Sequence, residues 1–397
     1  MSQKISVGID IGTDQIKVVV AENIKTEDGN EAPHIIGLGS AESKGLRHGY
    51  VTNMQDAVRS IKTAVSQAEK SSKIKIKKAY ISIGGVGLGG ITGKGSVMIS
   101  KADSEITELD VRNVLNTAES ELPHTALINK KIIFTIPLSY KIDEELLIGR
   151  PIGMHGVKLE ARALFVVCLE QHLNDLIRAV EEADVEVVDV MASILAASLV
   201  NLSKTQKVAG SILVNIGSET TSIAVFENNI PISLEVFPIG GTDITNDIAL
   251  GFRIPIDEAE SLKIGSVSNT QYPKKKLEDM IHSRIEDIFT LTETHLKKIG
   301  RNGLLPAGVV LTGGGSNIAG IEDTARTSLK LPSKLALLNL NPNIKSHLKD
   351  NSWSVAYGLA VWGLNNGEDI SAGLHFSSGR SGKVFKGMGN WFKQFLP

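Results

Sequence analysis

Two short turns carry the residue types that hold a phosphate. In the first, Val7-Gly8-Ile9-Asp10-Ile11 runs into Gly12-Thr13-Asp14, and Ile16 to Val20 returns. In the second, Ser211 to Ile216 runs into Gly217-Ser218-Glu219, and Thr220 to Phe226 returns. A tight turn between strands exposes several backbone N–H groups in one direction, and glycine lets an anion approach because no Cβ is in the way. Thr13 adds a hydroxyl donor and Lys17 a positive charge. Asp10, at the mouth of the first turn, is placed to orient water around a phosphate-bound Mg²⁺. The second turn offers Gly217, Ser218, Thr220 and Thr221, and Asn215 stands where the first has Asp10. Either turn alone reads as an ordinary hairpin. Their duplication, with a third glycine loop at Leu311-Thr312-Gly313-Gly314-Gly315-Ser316, favours a polyphosphate clamped from both sides. The bare backbone of that loop can pack against a flat base and ribose.

The elements that must position these turns follow from periodicity. Both turn units read as strand–turn–strand, so the chain is expected to build two lobes on one plan. Asp56 to Ser71 has helical spacing, with Ala57, Ile61, Ala64, Val65 and Ala68 on one face. Lys78 to Ile83 reads as a buried strand. From Gly84 to about Phe165 the texture changes to glycine and short strands with one helix near Glu108–Glu119, as expected of an inserted subdomain. Strands and helices then alternate from Ala163 to Leu202. Thr242 to Ile299 is helix-rich, Trp353 to Gly363 reads as a last core helix, and Asn365 to Gly382 has a linker's serine and glycine.

The bulk numbers exclude several classes. A formal charge of −2 gives no reason to expect nucleic-acid binding. Cys168 is the sole cysteine, which rules out an intrachain disulfide and fits a reducing compartment. The first residues lack a signal pattern, and the longest apolar run, Val187 to Val200, is too short to cross a bilayer. Gly85-Val86-Gly87-Leu88-Gly89-Gly90 spells a dinucleotide motif, but a glycine-broken, strand-like stretch follows where that motif needs a helix. Gly93-Lys94-Gly95 fails as a P-loop. The nine histidines show no zinc-ligand spacing.

The last fifteen residues carry a different signal. Val384, Phe385, Met388, Trp391, Phe392, Phe395 and Leu396 fall on one helical stripe, flanked by Lys383, Lys386 and Lys393, and no acidic residue follows Asp369. An apolar aromatic face with a basic rim is the pattern of a helix lying in the bilayer interface. Burying one large apolar side chain gains about 1.5–3 kcal/mol, and each lysine near an anionic surface adds about 1 kcal/mol. The competing reading is a terminal helix docked on the protein's own core. The linker before the stripe and the lysines favour the membrane.

The two turns, the glycine loop and the closing helix, in this order, resemble the actin superfamily. Within it the chain is similar to the FtsA family of bacterial cell division over nearly its whole length. Arg150-Pro151-Ile152-Gly153-Met154-His155-Gly156-Val157-Lys158-Leu159-Glu160, Pro238-Ile239-Gly240-Gly241 and Ala259-Glu260-Ser261-Leu262-Lys263 carry that similarity. The resemblance implies an α/β, actin-like two-lobed ATPase fold with an inserted FtsA-type 1C subdomain and a C-terminal amphipathic helix. The implied divisions are 1–82, 166–204 and 353–367 for subdomain 1A, 83–165 for 1C, 205–240 and 306–352 for 2A, and 241–305 for 2B. A linker at 368–382 and a membrane helix at 383–397 complete the chain.

The same resemblance assigns roles. Asp10, Gly12, Thr13 and Lys17 match the first phosphate motif, and Gly217, Ser218, Thr220 and Thr221 the second. Gly240 and Gly241 match a glycine pair near the phosphates, Glu260 and Lys263 a pair near ribose and base, and Gly313, Gly314 and Gly315 the adenosine loop. The implied cofactors are ATP and Mg²⁺. The family's second motif usually starts with aspartate and has another glycine, where this chain has Asn215 and Glu219. A neutral amide holds a Mg²⁺ water shell less well, so binding with slow or absent hydrolysis is expected. Glu219 would repel phosphates unless it points away. The implied partners are the FtsZ C-terminal tail, further copies of the chain in filaments, anionic lipids and other division proteins, at the inner face of the cytoplasmic membrane at the division site. The FtsZ contact is expected on 241–305, whose basic end holds Lys297, Lys298 and Arg301. A small-molecule kinase of the same fold would need an acceptor pocket with a carboxylate base, and a pilus-assembly platform protein would not need its own lipid anchor.

Overall fold

The computed structural model describes residues 4–25, 31–101, 103–266, 272–338 and 350–365. The linker at 368–382 and the apolar stripe of 383–397 lie outside the described residues.

The chain opens with β1 (Ile5–Ile11) and β2 (Gln15–Lys25), an antiparallel hairpin, and β3 (Glu31–Glu42) returns along β2. A small hairpin of β4 (Leu46–Arg47) and β5 (Tyr50–Val51) precedes α1 (Met54–Ser72), which crosses to β6 (Lys78–Ile83), parallel to β1. β7 (Gly89–Met98), α2 (Glu108–Ser120), α3 (His124–Leu127), β8 (Lys130–Ile142), β9 (Glu145–Leu147) and β10 (Lys158–Leu169) build a separate four-stranded sheet in the order β7-β10-β8-β9. The first lobe resumes with α4 (Glu170–Glu181), β11 (Glu186–Ala192), α5 (Ser193–Asn201) and α6 (Lys204–Ala209). The second lobe begins with β12 (Ser211–Ile216), β13 (Thr221–Glu227) and β14 (Ile230–Phe237), followed by α7 (Gly241–Phe252), α8 (Ile256–Lys263) and α9 (Lys274–Lys298). β15 (Val309–Thr312), a 3-10 turn at Gly314–Asn317, α10 (Ile321–Leu329) and β16 (Ser333–Leu335) complete that lobe, and α11 (Ser354–Asn365) returns to the first.

The lobes share one topology. The first sheet runs β11-β6-β1-β2-β3 and the second β14-β13-β12-β15-β16. In each, three strands form an antiparallel meander and two further strands add in parallel on the other side of the first. Parallel neighbours need a crossover, and in the first lobe α1 supplies it. Its buried face includes Ala57, Ile61, Ala64, Val65 and Ala68, the face its spacing predicts, and Asn53 caps it by accepting the Asp56 N–H at 3.2 Å. α5 is apolar on all sides and accordingly buried, lying between the two sheets. One core therefore runs from Ile9 and Ile81 through Ile194 and Leu195 to Leu213 and Phe226. The Gly85–Gly90 motif leads into β7, a strand, so the helix a dinucleotide site requires does not follow it.

Asp189 in β11 is 4% exposed, and its nearest hydrogen bond comes from the Val190 N–H at 2.8 Å. Burial raises its pKa from the usual carboxylate range to about 7. A folded-state pKa raised above the unfolded one contributes stability below about pH 4 that is lost as pH rises through about 7, on the order of 4 kcal/mol. Asp189→Asn is therefore expected to gain stability over the parent increasingly across that window, with a level difference above it. Thermal midpoints of both proteins from acid to mildly alkaline pH measure this, and a pH-independent difference would count against a neutral buried carboxyl.

Candidate functional site

Both hairpin turns have the same construction. A Cβ on Gly12 would stand 2.7 Å from the Gln15 carbonyl oxygen, and one on Gly217 would stand 2.9 Å from that of Thr220. In each, a glycine is pressed onto the residue three places on. Asp10 faces Lys17 across the first hairpin, and Asn215 faces Ser222 across the second. Ser82 of β6 donates its hydroxyl to Asp10 Oδ1 at 2.8 Å and accepts the Ile11 N–H at 3.3 Å. Burial raises the Asp10 pKa, against the pull of the Lys17 charge and the Ser82 hydrogen bond. Lys17 is 8% exposed, with Nζ 5.8 Å from the centre of the Trp353 ring. Asp350 lies nearby. Burial works to raise its pKa, but hydrogen bonds from Ser352 and Asn317 and the Lys17 charge hold it below the usual value.

The second turn is stitched to the start of α7. Gly241 and Thr242 donate their N–H groups to the carbonyls of Gly217 and Ser218 at 2.9 and 2.7 Å, and the Ser218 and Thr242 hydroxyls meet at 2.9 Å. Gly240 gives its N–H to Asp243 Oδ2 at 2.8 Å, and a Cβ there would stand 2.5 Å from the Ser218 oxygen. The glycine pair thus lies against the second turn and shapes it, with its own N–H groups already engaged. Thr221 fixes the far side of the turn by donating to the Ile239 carbonyl at 2.8 Å. Thr220, whose carbonyl accepts the Gly217 N–H at 2.8 Å, closes the turn itself.

Of Glu260 and Lys263, by spacing alone a solvated helix face, Lys263 comes inward, while the Glu260 side chain stays partly exposed and pairs with it. Lys263 Nζ reaches Gly241 O at 3.0 Å, Thr245 Oγ1 at 2.8 Å and Glu260 Oε2 at 2.7 Å. Thr245 in turn donates to Glu260 Oε2 at 2.6 Å. The glycine loop closes the arrangement. Gly313 has φ 87°, and a Cβ on it would stand 2.3 Å from Asn215 Oδ1 and 2.5 Å from the Ile216 oxygen. Gly315 packs on Ile216 in the same way, and Gly314 begins the 3-10 turn beyond.

Four residue groups join this site that the sequence did not single out. Ser82 was the one serine in a mostly apolar strand, and that was its only signal. Lys17 finds Trp353 and Asp350 from the far end of the chain. Beneath the glycine loop, Thr312 Oγ1 accepts from Asn201 Nδ2 at 2.9 Å and meets the Ser354 hydroxyl at 3.0 Å, joining β15 to α5 and α11 in a buried polar cluster. The last is His48, whose backbone N–H donates to the Glu219 carboxylate across the lobes. Glu219 thereby fastens the β4–β5 hairpin of the opposite lobe.

Residues 212–358 match the family profile described as Cell division protein FtsA, and residues 86–167 match the SHS2 domain inserted in FTSA. The chain is 30% identical over 390 residues to the Cell division protein FtsA of Pseudomonas aeruginosa, covering 93% of this chain and 91% of that one. It is 31% identical over 387 residues to that of Bacillus subtilis, covering 92% and 84%. Among solved structures it resembles the PilM-PilN type IV pilus biogenesis complex with a TM-score of 0.67 at 18% identity, over 90% of this chain and 98% of that one. The ethanolamine utilization protein EutJ from Carboxydothermus hydrogenoformans superposes with a TM-score of 0.52 at 16% identity, over 91% and 90%. At these identities the structures speak for the fold, an actin-like pair of α/β lobes with an insertion. The sequence matches go further, since they run along nearly the whole length of both partners: the chain belongs to the FtsA family of cell division proteins.

Proposed function

We propose that this chain binds ATP between its lobes, self-associates into filaments and holds the FtsZ ring to the inner face of the cytoplasmic membrane. The observation that carries the reading is the pairing of two like-built turns and a glycine loop with an apolar, lysine-rimmed stripe at the C-terminus. The first favours a nucleotide and the second a lipid surface. Asp10, a half-buried carboxylate whose pKa burial raises against the Ser82 hydrogen bond and the Lys17 charge, fits a role beside Mg²⁺, which would neutralise phosphate charge there. Asn215 brings no charge to the matching place, in keeping with slow or no hydrolysis.

For the FtsZ tail, the basic end of 241–305 narrows to one residue. Lys297 pairs with Glu293 at 2.8 Å and Arg301 grips Glu227 through two nitrogens, whereas Lys298 is exposed with no ion pair among the described residues. A kinase finds little support, since the Asp10 carboxylate already accepts the Ser82 hydroxyl and feels the Lys17 charge. A pilus platform is favoured by fold likeness alone.

The test is flotation with anionic liposomes in the presence of ATP, comparing the full chain with one ending at Gly382. The full chain is expected to float and the shortened one to remain below. If neither floats, the stripe does not bind lipid and the tether reading loses its physical support.

A further inference from the structure

The sequence Lys70-Ser71-Ser72-Lys73-Ile74-Lys75-Ile76-Lys77-Lys78 places five lysines within nine residues. It covers the last turn of α1, the connection after it and the first residue of β6. Lys73 ends the helix in the left-handed conformation, at φ 59°. From there Ile76 turns inward at 3% exposure, while Lys73, Lys75, Lys77 and Lys78 face solvent. Glu69 pins the connection by accepting the Ile76 N–H at 2.8 Å. The lysines therefore sit on ordered backbone.

Charge at this end of the lobe is unevenly distributed. Lys75 pairs with Glu69 at 3.1 Å and Lys78 with Glu186 at 3.0 Å. The neighbouring acids of the α4–β11 turn are also engaged, Glu182 by Arg178 at 2.7 Å and Asp184 by Lys62 at 2.9 Å, leaving Glu181. Lys70, Lys73 and Lys77 are exposed and have no ion pair among the described residues. Positive charge accumulates on this connection in a chain whose formal total is −2.

The place of this patch in the fold gives it meaning. α11 runs along the first sheet with Gly363 pressed against Ser6 and the Tyr80 ring, where a Cβ would stand 2.1 and 2.3 Å away. Its end thus reaches the end of the sheet where β1 and β6 begin, two residues from Lys78. Residues 366–397, with the lysine-rimmed stripe, continue from there. The turn after β1 lies at the opposite end of that seven-residue strand, about 20 Å away at the strand rise.

We propose that this end of the first lobe is a second membrane-facing surface, on which Lys70, Lys73 and Lys77, flanked by Lys75 and Lys78, meet anionic lipid headgroups. The proposal rests on the membrane reading above. It adds that the globular body, once tethered, lies on the bilayer with its strand-start end down and its nucleotide turns away from the lipid. Tethering makes the patch contact intramolecular, so a weak patch still contributes to avidity. Each lysine near an anionic surface is worth about a fivefold gain in binding.

The experiment uses the full chain with ATP and vesicles of phosphatidylcholine alone or with increasing phosphatidylglycerol. A Lys70→Gln/Lys73→Gln/Lys77→Gln variant is expected to bind anionic vesicles at least about tenfold more weakly than the parent and neutral vesicles equally. A Lys274→Gln/Lys275→Gln control on the second lobe is expected to match the parent. Equal binding of the triple variant and the parent to anionic vesicles overturns the proposal while leaving the tail as anchor. A parent that binds no vesicle overturns the membrane reading itself. Acetylation footprinting of the unaltered protein reads the same surface independently of any variant. Vesicles are expected to protect Lys70, Lys73 and Lys77. Unchanged reactivity, or protection only by an acidic protein partner, overturns the proposal.

Discussion

A Gly313→Ala variant is expected to bind a fluorescent ATP analogue at least about a hundredfold more weakly than the parent. Two separate costs meet at this residue. Its φ of 87° is one that an L side chain adopts at about 1–3 kcal/mol. The new methyl would also lie 2.3 Å from Asn215 Oδ1, 2.5 Å from the Ile216 oxygen and 3.0 Å from its carbon. The last two are backbone atoms of β12 and cannot swing aside, so the loop itself must lift from the second turn. Overpacking of this kind costs about 1–3 kcal/mol further. On the proposed reading the loop and the turn are two parts of one grip, so separating them removes the shape that a base and a phosphate would share.

Gly320→Ala separates the two costs. Gly320 has φ 79° with nothing within 4 Å of its would-be Cβ, so it carries the strain without the collision. That variant is expected to lose stability by about 1–3 kcal/mol and to keep its nucleotide affinity. Titration with the analogue and thermal midpoints on both variants decide the matter. If Gly313→Ala binds like the parent, the loop does not hold the nucleotide.

The duplicated hairpin was legible because everything that makes it is local. β-branched runs flank a glycine turn, and the same pattern recurs about two hundred residues later, from Asp10 to Asn215. The full extent of the repeat was not legible. β16 is only three residues long, so it does not announce itself as the counterpart of β11. The inserted sheet was underestimated for a similar reason: glycines that looked like strand breaks at Gly93 and Gly95 are where β7 admits the backbone of α2. Site residues divide along the same line. Gly12, Gly217 and Gly313 were visible in their own turns. Lys263 was named through the family resemblance alone, because what brings it inward is the packing of α8 against α7 and its own spacing reads as a solvated face. Ser82, Trp353 and His48 depend on strands and lobes meeting across the fold, and no window of sequence contains both partners.

Glu219 shows what such long-range pairing adds, and Glu219→Ala is expected to release nucleotide about tenfold to a hundredfold faster than the parent. A carboxylate beside phosphates would be a repulsive element. Here its oxygen accepts the His48 N–H from a residue 171 positions away, and His48 Nδ1 lies 3.4 Å from the Glu219 carbonyl oxygen. The acid therefore acts as a strap between the second turn and the β4–β5 hairpin of the other lobe. A hydrogen bond to a charged group contributes about 1.5–3 kcal/mol, which corresponds to the expected factor if opening of the lobes limits release. Glu219→Gln keeps an oxygen that can accept the same N–H but loses its charge, so it is expected to fall between the two. Stopped-flow displacement of the fluorescent analogue by excess ATP gives the rates. Release from Glu219→Ala as slow as from the parent would mean that the strap does not gate the cleft. Slower release in the parent than in both variants, in the order Ala, Gln, Glu, would mean that a residue unsuited to touching phosphate helps retain it.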